Sequence, residues 1–114
     1  MSQSSSLLPA IPLQNPLARL ALLPSGIRLT APLKPSLLSR FLRAAPREKS
    51  FDLDSLGTEI WHACDGRTSV EEMITAFAAR HRVNLRQSQI SVTTYLNTLL
   101  ARNLIALAVA KQTR

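Results

Sequence analysis

Apolar and polar positions along this chain change period several times, and each change marks an element. The clearest signal is helical. Leu56, Ile60 and Cys64 recur on one face with Trp61 beside them, and Asp54 or Ser55 stands in front as an N-cap. Gly66 follows, where a left-handed residue can close a helix C-terminus. A second helix opens with overlapping capping boxes, Thr68 with Glu71 and Ser69 with Glu72; its apolar face is Val70, Met73, Ile74, Phe77 and Ala78. After the polar break at residues 80–84 the spacing predicts a third helix near residues 86–102. Its buried stripe is Val92, Leu96, Leu99 and Leu100, and Asn103 can end it.

Period two dominates elsewhere. Ile27, Leu29 and Ala31 alternate with Arg28, Thr30 and Pro32, and the turn residues Pro24, Ser25 and Gly26 join them to an earlier apolar run. This is a β-hairpin signal. Pro32 and Pro35 withhold backbone donors, so the second run reads as an edge strand that stops early. Phe51 and Leu53 alternate with Ser50, Asp52 and Asp54, which predicts a short strand with one buried face. Residues 104–110 look like a closing extended segment. Residues 1–16 are rich in serine and proline without periodicity and read as a flexible tail, as do residues 111–114. Between hairpin and strand, Leu37, Leu38, Phe41, Leu42 and Ala45 recur opposite Ser36, Arg40, Arg43 and Arg47. That pattern is a basic amphipathic insertion at 34–49, expected to pack its leucines on the domain. The order predicts one α+β domain over residues 17–110, winged-helix-like, with a short N-terminal antiparallel sheet packed on three helices.

Charge refines this picture. The net charge of +7 is uneven: residues 1–50 hold seven Lys/Arg against one acid, and residues 51–114 hold seven against six. A nucleic-acid domain usually carries its basic face on the folded unit, and here the surplus lies upstream of it. One cysteine excludes an internal disulfide and leaves no cysteine cluster for zinc or iron–sulfur ligation. No apolar run reaches the roughly eighteen residues of a membrane span, and no basic stretch opens the chain as in a secretory signal. A cytoplasmic protein is expected.

Candidate chemistry is sparse. Glu71 and Glu72 fall where capping and the helix dipole already account for them. His62 and His81 have no partners at metal spacing. Cys64 sits on an apolar stripe, where a thiol behaves as a small hydrophobe, and no base is indicated beside it. Trp61 reads as a core anchor and Asp65-Gly66-Arg67 as a turn. Neither a glycine-rich phosphate loop nor a nucleophile elbow is present. These readings argue against an enzyme, a cofactor or a metal.

The same residues carry a resemblance. Leu53, Asp54 and Gly57, then Ile60-Trp61, then Asp65-Gly66 leading into a hydroxyl–Val–Glu–Glu helix start, resemble the PqqD family. Leu96, Leu99, Leu100 and Leu104-Ile105 complete the match, which spans about residues 50–107. The resemblance implies a winged-helix-like peptide-recognition element of ribosomal peptide-modification systems. It implies a non-catalytic adaptor that captures a precursor (leader) peptide by β-strand addition. The adaptor would present that peptide to a separate modifying enzyme, often of radical S-adenosylmethionine type. On this chain the receiving strand would be Lys49–Leu53, offering Lys49, Phe51 and Leu53. The facing side of the third helix would be Arg86, Ile90, Thr94 and Asn97, chosen from helical spacing rather than from a family motif. The rival reading is a winged-helix DNA-binding protein in which Arg86, Gln87, Gln89 and Asn97 of the third helix reach bases or phosphates. A third reading places residues 35–47 on an anionic membrane surface.

Overall fold

A computed structural model describes residues 8–32 and 48–109. In chain order these form β1 (Ala10–Gln14), β2 (Arg19–Leu23), β3 (Gly26–Pro32), β4 (Glu48–Leu53), α1 (Ser55–Ala63), α2 (Val70–His81), α3 (Leu85–Ala101) and β5 (Ile105–Val109). The expected α+β class holds, with three helices and two small antiparallel sheets in place of one: β2-β3-β4 and β1-β5. The segment expected to form the basic insertion lies outside the described residues, except that residues 48 and 49 enter β4.

Each helix starts as its capping residues dictate. Asp54 accepts the Gly57 amide at 2.8 Å and opens α1. Only one of the two overlapping boxes closes: Ser69 and Glu72 exchange bonds of 2.9 and 3.1 Å at the head of α2. Thr68 is drawn instead to Asp65, whose carboxylate accepts the Arg67 and Thr68 amides and the Thr68 hydroxyl. Those bonds hold Asp65 below its ordinary carboxyl range, the Arg67 amide contributing most. Gly66 does adopt φ +78°, but α1 has already ended with Cys64 as its C-cap, so the glycine serves the turn. Asn103, at φ 60°, stops α3 as expected.

Two corrections concern strands. Residues 10–14, expected within a flexible tail, form β1 and pair along their length with β5. Composition concealed a period-two pattern there: Ala10 and Pro12 are buried while Leu13 faces outward. Pro12 has no amide to donate, and its carbonyl accepts the Gly66 amide at 2.9 Å. The second correction is β3, which is the centre of its sheet rather than an edge. Its only proline is the last residue, where a missing donor costs the ladder least.

The core lies between the inward face of β2-β3-β4 and the helices. Leu29, Ile60, Val70, Val92, Leu96 and Leu99 are fully buried, and Trp61 is buried with them. Ser88 is buried where α3 crosses α2, and its hydroxyl donates to the Ile74 carbonyl at 2.6 Å.

Candidate functional site

Free backbone groups come first, because they decide whether a sheet can take another strand. β4 pairs with β3 on one side, and among the described residues no strand pairs with its other edge. The Leu53 carbonyl points toward β3, so close to Gly26 that a Cβ there would collide with it. Backbone direction alternates along an antiparallel strand, so Lys49 and Phe51 also bond inward. The amides and carbonyls of Ser50 and Asp52 therefore face the open edge.

Side chains alternate in the other sense. Ser50 and Asp52 carry theirs on the outer sheet face, where Asp52 receives Arg28 at 2.8 Å and Ser50 meets Thr30 at 2.9 Å. The Arg28 hydrogen bonds hold the Asp52 carboxyl below its usual range. Lys49, Phe51 and Leu53 share the inner face, grading from exposed through half-buried to buried. Beside this face the C-terminal turn of α3 leaves a cleft of about 380 Å³, lined by Lys49, Phe51, Thr98, Ala101, Arg102 and Leu104. The Arg102 guanidinium lies 3.9 Å above the Phe51 ring centroid.

The other end of this groove is fixed by Asp54. Its carboxylate caps α1 and also accepts the Tyr95 hydroxyl, 2.9 Å from each oxygen. Burial, then the bond to Asp54, raises the Tyr95 pKa. Gly57 lets the three elements meet: a Cβ there would stand 2.9 Å from the Leu53 side chain and 3.0 Å from the Tyr95 ring. The Leu-Asp-x-x-Gly opening is thus the joint between strand, first helix and third helix.

Of the residues singled out in the sequence, Lys49 and Phe51 line the cleft, whereas Leu53 is buried in the core and does not line it. Arg86, Ile90, Thr94 and Asn97 lie exposed on α3, displaced by roughly a quarter turn from Thr98, and do not line it. The helix face beside β4 is instead Tyr95, Thr98 and Arg102, which directly flanks the core stripe. Thr98, Ala101, Arg102 and Leu104 were missed. The signal available for Thr98, Ala101 and Arg102 was their i, i+3, i+4 spacing at the helix end, one position off the faces chosen, whereas Leu104 lies past the helix and shares no such pattern.

Other candidate groups are consumed structurally. Cys64 is buried, donates to the Ile60 carbonyl at 3.2 Å, and is pushed up to about 12 by burial and then by Asp65. A second depression, about 340 Å³ between α1 and α2, holds Glu59, but that carboxylate is taken by Arg80 at 3.4 Å and His81 at 2.8 Å. No group of three or more potential metal ligands occurs among the described residues, and none of their helices is long and apolar enough to cross a membrane.

In a comparison with protein families, residues 42–105, more than half of the chain, fit the family described as coenzyme PQQ synthesis protein D. The chain belongs to the PqqD family. The PqqD match takes in β4, all three helices and the first residue of β5, so the entire cleft lies inside it. The strands β1, β2 and β3 lie upstream of the PqqD region. Comparison with curated proteins and with solved structures returned no match.

Proposed function

We propose that this protein is a non-catalytic, cytoplasmic adaptor that captures a precursor peptide as an additional strand on β4 and presents it to a separate modifying enzyme. Membership of the PqqD family supports a role in a peptide-modification system, with a radical S-adenosylmethionine enzyme as the expected partner type. The observation that carries the reading is the edge of β4, unpaired among the described residues, lying beside a cleft walled by α3. Main-chain bonds from Ser50 and Asp52 would supply affinity, and the cleft would sort side chains. The opposite edge, on β2, also pairs with no further strand among the described residues, but its inward residues Leu20 and Leu22 are exposed.

The test removes one outward amide. Ser50→Pro deletes a donor on the open edge and leaves the β3 ladder intact, whereas Phe51→Pro would break that ladder. Isothermal titration with short peptides encoded beside the gene should show binding to the native chain and at least about tenfold weaker binding to S50P at near-native Tm. Binding that S50P leaves unchanged would count against strand addition.

A further inference from the structure

The cleft beside β4 holds two cations and little to neutralise them. Lys49 and Arg102 both line it, the remaining lining is Phe51, Thr98, Ala101 and Leu104, and no described carboxylate lies within ion-pair distance of either cation. Arg102 already uses the face of its guanidinium on Phe51. Stacking of that kind leaves the in-plane N–H fork free, and the fork matches a carboxylate. Of the carboxylates whose contacts are described near Lys49 and Phe51, Asp52 is committed to Arg28 on the outer face, and Asp54, just past the end of β4, to Gly57 and Tyr95. The groove is therefore cationic only at its Lys49 end, with an apolar floor beside the charges.

A guest strand on β4 would send alternate side chains into this groove. One would stand opposite Phe51, and the next inward one, two positions along, opposite Lys49. We infer that the captured segment carries a bulky apolar residue and a carboxylate two positions apart, the apolar side chain seated against Ala101, Leu104 and Phe51 and the carboxylate between Lys49 and Arg102. In an antiparallel guest, which forms the slightly stronger ladder, the carboxylate is the C-terminal member of the pair. This inference rests on the strand-capture reading and adds the chemical class of peptide that the site selects.

A displayed library of random decapeptides, panned on the full chain, tests it. Enriched peptides are synthesised, and their effect on the Ser50 and Asp52 amides is followed by nuclear magnetic resonance. The expected winners protect both amides, contain Leu, Ile or Phe two positions before Asp or Glu, and bind about three- to tenfold more weakly when that acid becomes Gln or Asn. In the Lys49→Gln/Arg102→Gln double variant the acid and amide peptides should bind alike, while Arg102→Lys should retain a preference for the acid. Loss of affinity for acid and amide peptides alike in the double variant would mark the two cations as structural and overturn the inference. Winners that protect Ser50 and Asp52 yet show no acid preference would also overturn it, leaving strand capture intact. Winners that bind without protecting those amides, or no winners at all, would overturn strand capture and the inference with it.

Discussion

Gly57 shows how much one side chain, or its absence, decides. It is buried at the point where β4, α1 and α3 converge, and its missing Cβ is the space the Leu53 and Tyr95 side chains use. Gly57→Ala should therefore cost about 1–3 kcal/mol despite the better helix propensity of alanine, because overpacking outweighs propensity here. Urea unfolding checks this, and a stabilised variant would mean the joint has slack. Thr58 offers the opposite sign. Its hydroxyl is buried without a hydrogen-bond partner, so Thr58→Val, which keeps the shape and drops the polar atom, should raise stability by about 1 kcal/mol in the same assay. Cys64 gives a pH prediction. Its folded pKa is raised to about 12, so the folded state holds a proton that the unfolded state releases earlier. Its contribution is complete below the ordinary thiol range and is lost as pH climbs toward 12. A thiol reagent at pH 8 should accordingly label Cys64 slowly in the native chain and quickly in denaturant.

At the scale of elements, helices were legible because their signals are local. Capping residues, stripe spacing and Asn103 sit within a turn or two of the ends they define, and the three helices fall within a residue or two of expectation. β4 was legible for the same reason, since Phe51 and Leu53 alternate with polar neighbours. What the sequence hid was pairing. β1 joins β5 across nearly the whole chain, and a five-residue stretch with one proline looks like tail until its distant partner is known. The cleft was half legible: its strand side follows from alternation, but its helix side depends on how α3 is rotated against β4. The bond from Tyr95 to Asp54, with no sequence pattern of its own, marks that rotation. An error of a quarter turn replaced Thr98 and Arg102 by Thr94 and Asn97.

For the whole molecule, β1 is the element that most changes the account. It carries the Gln14 amide to the Cys64 carbonyl, the Pro12 carbonyl to the Gly66 amide and the Gln14 side chain to the Trp61 carbonyl, on the last turn of α1 and the turn that follows it. Removing residues 1–14 should lower stability by about 3 kcal/mol or more, as buried surface and several hydrogen bonds are lost together. A freely hanging tail would leave the unfolding midpoint unchanged. The sheet β1-β5 is separate from β2-β3-β4 and leaves the edge of β4 unpaired among the described residues. The most direct measurement of that edge is amide hydrogen exchange at Ser50 and Asp52, in the free chain and with a library-selected decapeptide bound. The account predicts rapid exchange in the free chain and strong protection in the complex. Slow exchange before any peptide is added, or no slowing after, would contradict it.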